Sequence, residues 1–212
     1  MKHWLKILIF IIIVPIKVFS NAGMFEGKIK IIKEGIYDTL QIEISVKNDI
    51  VRIDEINSKN AITRSFLVNL SKEKIYALSV KDKLYTEIPL KSLANTNNDS
   101  EFIKTKNFMK INGEVCQQWR IRNKKRNTEL TYWVAEKNYN FMKSLVGILQ
   151  RSETPLGIFS QFPQVNGFFP LFTVERTLFR KVKESTRIIE IKSQKLPDKM
   201  FVIPPGYREL LG

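Results

Sequence analysis

The chain has 212 residues, 43% of them hydrophobic, and carries 35 basic against 21 acidic residues for a formal charge of +14. Its length suits one domain, or one domain behind a targeting segment. With a single cysteine, Cys116, and a single histidine, His3, it excludes an internal disulfide and a cysteine or histidine metal cluster.

The first residues read as that targeting segment. Lys2 and Lys6 form a basic start, Ile7 to Val14 is an unbroken apolar run, and Ser20 and Ala22 are small residues at cleavage spacing before Gly23. That is the pattern of a secretory signal peptide. A spanning helix needs about 20 apolar residues, and Pro15 and Lys17 interrupt this run too early. No cysteine stands at the cleavage site, so lipid attachment there is not indicated. The expected organisation is a signal peptide over residues 1–22 and a single exported domain over residues 23–212. Loss of Lys2, Lys6 and Lys17 leaves 32 basic residues against 21 acidic ones, a formal +11. His3 leaves too, and with it any Ser-His-Asp or Cys-His nucleophile system.

From Met24 the hydrophobic period is mostly two. Leu40, Ile42, Ile44 and Val46 alternate with Gln41, Glu43, Ser45 and Lys47, as in a strand with one buried and one wet face. Asn48-Asp49 supplies turn chemistry, so residues 38–56 read as a hairpin. Further strand-like runs are Ile62–Leu70, Lys74–Val80, Lys83–Ile88, Gly113–Arg122, Glu129–Ala135, Phe172–Lys183 and Thr186–Ser193. Their spacing predicts a mainly β fold built on one large, twisted antiparallel sheet whose apolar face must be covered.

Two stretches depart from period two. Residues 91–107 form a polar connector with room for a short helix. Residues 138–151 place Phe141, Met142, Leu145, Val146, Ile148 and Leu149 at helical spacing, which predicts an amphipathic helix with Asn138 as its cap. Between Ser152 and Pro170, prolines and glycines forbid long regular structure, yet Phe159, Phe162, Phe168 and Phe169 need burial. The helix and this Phe-rich loop are the expected cover.

The order of short motifs also carries a resemblance. Phe25-Glu26-Gly27 opens the first strand, and Gly113-Glu114-Val115-Cys116 leads into a strand with Trp119. Thr131-Tyr132-Trp133-Val134 and Gly167-Phe168-Phe169-Pro170-Leu171 follow. Leu196-Pro197-Asp198 and Met200-Phe201-Val202-Ile203-Pro204-Pro205-Gly206-Tyr207 close the series. Over residues 24–208 the chain resembles an uncharacterised family of exported bacterial proteins related in fold to the lipoprotein-carrier (LolA-like) group. The resemblance implies an open half-barrel with helices and loops plugging its concave face. It also implies a periplasmic or envelope location in a bacterium, and, by analogy with the carriers, an acyl chain or lipid as ligand.

On this reading Phe141, Met142, Leu145, Leu149, Phe159, Phe162 and Phe168 line an apolar ligand pocket; the alternative is that they are core between helix and sheet. The expected function is an exported, non-enzymatic module that binds an apolar or lipidic ligand. Its alternatives are an envelope interaction protein with a self-filled cavity and, less favoured, a histidine-independent carboxylate hydrolase using Asp54 and Glu55. No cofactor, metal or catalytic residue is assigned, and nucleic acid is not an expected partner. The basic runs Arg120, Arg122, Lys124, Lys125, Arg126 and Arg180, Lys181, Lys183 offer an anionic membrane surface or an envelope polyanion a docking site. Cys116 reads either as a buried apolar residue or as a thiol for pairing between chains. The ending Met200–Ile203 reads as a short strand, locked by a type II turn at Pro205-Gly206.

Overall fold

Alternating sequences become alternating strands. The computed structural model describes residues 25–92, 100–137, 139–152, 159, 161–163 and 165–210; the signal peptide expected over residues 1–22 lies outside them. The first half is a meander of β1 (Gly27–Glu34), β2 (Thr39–Lys47), β3 (Ile50–Ile56), β4 (Ile62–Asn69), β5 (Lys74–Ser79) and β6 (Leu84–Ile88). The second holds β7 (Ser100–Ile111), β8 (Glu114–Asn123), β9 (Thr128–Glu136), helix α1 (Asn140–Arg151), β10 (Phe168–Thr177) and β11 (Val182–Ser193). A 3-10 turn, Asp198–Phe201, and the two-residue β12 (Arg208–Glu209) end the chain.

Among the described residues twelve strands form one sheet in the order β12-β6-β5-β4-β3-β2-β1-β11-β10-β9-β8-β7. Every pairing is antiparallel except β12 with β6. The two meanders join where β1 pairs β11, from Gly27 opposite Ser193 to Glu34 opposite Ser185. The sheet is not closed into a barrel, but it curls strongly: Asn112, in the β7–β8 turn, donates its side-chain amide to the carbonyl of Ile188 on β11 at 2.9 Å. Two strands, β10 and β9, stand between β11 and that hairpin in the sheet order.

Register places the apolar half of each alternation on one face. Ile31 faces Ile42, which faces Glu55; Ile29 aligns with Ile44, Ile53 and Phe66; and Val46 with Val51 and Val68. These side chains, Glu55 apart, join Trp119, Tyr132 and the helix in one hydrophobic cluster.

The outer face of β2–β5 has its own cover. The segment from Leu196 to Phe201 crosses it, with Leu196 and Phe201 buried, and Leu67 and Leu78 are buried on that face. Lys47 donates to the Leu196 carbonyl at 2.6 Å and Arg52 to the Met200 carbonyl at 3.2 Å. The chain then turns at Pro204–Tyr207, with a 3.3 Å bond from the Tyr207 amide to the Pro204 carbonyl, and the Arg208 and Leu210 amides donate to the carbonyls of Lys83, just ahead of β6, and Tyr85 within it. Met200 to Ile203 is therefore not a strand. Met200 and Phe201 end a 3-10 turn that buries Phe201 against the sheet, Val202 beyond it is exposed, and the element locked in place is β12.

Gly206 has φ +84, and a Cβ added there would meet nothing within 4 Å. Gly206→Ala thus adds only the left-handed backbone penalty of about 1–2 kcal/mol. Thermal melts should show a loss of about 2–4 °C for each kcal/mol in a domain of this size. An unchanged melting temperature would mean that the turn is not held in the folded protein.

Three further expectations are corrected. The connector read over residues 91–107 ends early, because β7 begins at Ser100; the residues between 92 and 100 lie outside the described set. The break between the last long strands falls at Leu178–Lys181 rather than near Glu184, and Arg180 takes φ +65 there. Phe168 to Leu171 belong to β10 rather than to a loop.

Candidate ligand-binding site

Helix α1 spans the concave side of the first meander. At its start the Phe25 ring, just ahead of β1, lies 5.7 Å from Phe141 and 4.9 Å from Tyr139. At its end Arg151 pairs with Glu73 of the β4–β5 turn at 2.7 Å, and its carbonyl accepts from the Lys91 amide at 2.8 Å. The apolar stripe read from the sequence is the buried face: Phe141, Met142, Leu145, Val146, Ile148 and Leu149. The capping residue is Tyr139, which makes no side-chain cap bond; Asn138 lies outside the described residues.

The described residues of the returning loop bring Phe159 and Phe162 against the second meander. Gln150 of the helix donates to the Phe162 carbonyl at 3.0 Å. Phe162 stacks on Trp119 at 6.2 Å and meets Tyr132 edge-on at 5.2 Å. Phe168 lies 4.7 Å from Trp119, and Phe159 lies 6.4 Å from Phe162. All seven side chains expected at the pocket are thus gathered under one cover. Six of them are at most 8% exposed, and Phe168 is partly buried against the same cluster.

Open space lies at the margin. A cleft of about 240 Å³ runs beside the start of α1, between it and the β2–β3 and β4–β5 turns. Phe25, Leu70 and Phe141 give it an apolar wall, while Asn48, Asp49, Ser71, Asn140 and Ser144 bring polar groups. Of the seven expected residues only Phe141 lines it. Asn140 and Ser144, four apart on the helix, border the apolar stripe; that spacing is visible in the sequence, but which turns they face is not.

The far end of the concave face is polar. A cavity of about 20 Å³ is lined by Leu130, Tyr132, Phe159, Thr173, Glu175, Glu184 and Thr186, enough for about one water. Glu184 pairs with Lys33 at 3.0 Å and Glu175 with Lys183 at 2.5 Å. Burial pushes the Tyr132 phenol far above its usual range, so it stays neutral.

The carboxylates considered for hydrolysis do not converge. Asp54 and Glu55 point to opposite faces, as neighbours on a strand must. Asp54 is held by Arg52 and Ser65, and Glu55 by Arg64 at 2.5 Å. Among the described residues no group of three or more His, Cys, Asp or Glu is placed to hold a metal. Cys116 is fully buried, and burial raises its thiol pKa, with a smaller contribution from Glu114. The wet orientation weighed for it does not occur.

Known proteins resemble this chain chiefly in fold. The family described as a domain of unknown function, DUF4412, matches residues 25–207. No curated protein matches the sequence significantly. An uncharacterised conserved protein of Thermus thermophilus is similar in structure at TM-score 0.55 and 8% identity, covering 86% of this chain and 88% of that one. PNGF-II is similar at TM-score 0.47 and 14% identity over 86% of this chain, which spans only 30% of that one. A domain described as outer membrane lipoprotein-sorting, from Vibrio parahaemolyticus, has TM-score 0.33 and 11% identity, with 82% and 87% covered. The Thermus likeness is one of fold.

Proposed function

The chain belongs to the DUF4412 family, and from that footing we propose that it is an exported, non-enzymatic module that takes up an apolar or lipidic ligand beneath helix α1 and the Phe-rich loop. The observation that carries this reading is the cleft beside α1, with an apolar wall and a polar mouth. An acyl chain with a polar head asks for that division of surface. At about 240 Å³ the cleft is somewhat smaller than a typical ligand pocket of about 300–1,000 Å³. A longer chain therefore enters by displacing Phe141 and Met142, then Leu145 and Leu149, with Phe159, Phe162 and Phe168 as the deep wall. Met142 suits such repacking, since methionine adapts to variable shapes. Export rests on the leader pattern of residues 1–22.

A second reading has its own support. The near-complete burial of the expected lining fits an envelope interaction protein whose cavity is filled by its own side chains.

The test is native mass spectrometry and lipid extraction of the protein purified from its own envelope, with titration of a fluorescent fatty acid. The carrier reading expects co-purifying acyl species. It also expects about tenfold weaker binding in Ser144→Trp, where an exposed residue at the cleft is replaced by a bulky ring. Recovery of no acyl species together with no fatty-acid binding supports the self-filled reading instead.

A further inference from the structure

The hairpin turns of the sheet fall on two rims, and their charges differ. One rim carries the β1–β2, β3–β4, β5–β6, β8–β9 and β10–β11 turns, which hold eight basic residues against two acids, Asp38 and Asp82. The opposite rim carries the β2–β3, β4–β5 and β7–β8 turns, which hold one basic residue, Lys72, against Asp49 and Glu73. A lysine-rich surface serving only solubility has no need of such polarity.

The two basic runs of the sequence meet on that first rim. The β8–β9 turn is Lys124-Lys125-Arg126-Asn127, and the β10–β11 turn is Leu178-Phe179-Arg180-Lys181. They are tied by a 3.3 Å bond from the Leu178 amide to the Asn127 carbonyl. The β1–β2 turn, Gly35-Ile36-Tyr37-Asp38, is the next neighbour, since β1 pairs β11 up to Glu34 opposite Ser185. Among the described residues Lys124, Arg126, Arg180 and Lys181 have no acid within ion-pair distance.

The β1–β2 and β10–β11 turns also lift bare apolar surface to their tips. Tyr37 is 97% exposed and Phe179 88%, with Ile36 at 56% and Val182 at 49% beside them. Aromatic tips ringed by basic side chains match a bilayer surface chemically. Rings settle at the level of the headgroups, and lysine and arginine are attracted to anionic lipid within about a Debye length.

We propose that this rim docks the protein on an anionic lipid bilayer, with Tyr37 and Phe179 entering the headgroup layer and the β8–β9 and β10–β11 basic residues lying against lipid phosphates. A soluble polyanion without rings, such as polyphosphate, would engage the same charges without using the aromatic tips. The surface shares no residue with the cleft beside α1, so ligand uptake and docking fail independently.

The experiment is co-sedimentation of the exported protein with vesicles of phosphatidylglycerol and phosphatidylcholine, against phosphatidylcholine alone. Binding should require the anionic lipid and fall as salt rises. A variant carrying Lys124→Gln, Arg126→Gln, Arg180→Gln and Lys181→Gln should bind on the order of a hundredfold more weakly. Tyr37→Ser with Phe179→Ser should bind about tenfold more weakly, while Lys72→Gln on the opposite rim leaves binding unchanged. All these side chains are exposed, and matching melting temperatures check that each variant folds. Equal binding to neutral vesicles, or full binding by the charge variant, would overturn the proposal. Binding to vesicles and to a soluble polyphosphate that are both indifferent to the aromatic pair would assign the rim to polyanions and overturn it too.

Discussion

Asp54→Ala is expected to destabilise the protein by about 3–5 kcal/mol, the usual cost of leaving a buried charge without its partner. Asp54 is 3% exposed. Its two oxygens share the single Nε–H of Arg52, each at 2.9 Å, and it accepts from the Ser65 hydroxyl at 2.5 Å. Arg52 also donates to Ser65 at 3.0 Å and to the Met200 carbonyl at 3.2 Å. Removing the carboxylate strands a guanidinium under the C-terminal segment and loosens the segment that buries Leu196 and Phe201. Against a total of about 5–15 kcal/mol for a typical domain, that loss is large. Urea unfolding should show a lower midpoint at an unchanged slope. A double variant with Arg52→Ala should recover part of the loss, because no charge is then left unpaired. A loss under about 1 kcal/mol in Asp54→Ala alone would mean that Arg52 finds water, and the outer face would not be the sealed layer described above.

Trp119→Ala should cost a similar amount, about 3–5 kcal/mol, for a different reason. The indole is fully buried on β8, where it gathers Phe102 of β7, Phe162 of the loop and Phe168 of β10 within 4.7–6.2 Å. Its removal leaves a cavity that three separate elements would have to collapse to fill. Trp119→Phe keeps a ring in place and should lose well under half as much. Limited proteolysis gives a second readout, since the loop carrying Phe162 should become the first site cut in Trp119→Ala. Equal losses in the two variants would show that the indole contributes bulk rather than ring contacts.

Particular residues show which parts of this fold can be read from sequence. β2 is legible because one of its faces is buried and the other wet, so Leu40 to Lys47 obey a strict alternation. β7 is hidden because it is an edge strand with neither face deeply buried. Phe102, Phe108 and Met109 are all substantially exposed beside Lys104, Lys106 and Lys110, and no period survives. The β10–β11 turn escapes a reading by pattern because Leu178 and Phe179 look like strand residues, although they stand at its tip. The apolar helix face and the Phe-rich loop can be read from the helical period and the need to bury aromatics. The cleft beside them depends on the β2–β3 and β4–β5 turns reaching one helix end, a coincidence of topology that no local pattern records. The Arg52–Asp54–Ser65 network is of the same kind, because Ser65 stands eleven residues from Asp54 and meets it only through the register of β3 and β4.

The seam between β1 and β11 has a consequence for how the chain acquires its shape. Within each meander, strands pair with near neighbours in sequence, so their contacts close short loops at small entropic cost. The seam instead joins Gly27 to Ser193, and almost the whole described chain must be in hand before it can zip. Contacts of such separation slow folding relative to local ones. The expected order is therefore two meanders formed early and a late, slower joining of β1 to β11, followed by the crossing of Leu196–Phe201 over the outer face. Until that joining, both seam strands present open edges, and those edges are where a partly folded chain would pair with a neighbouring copy.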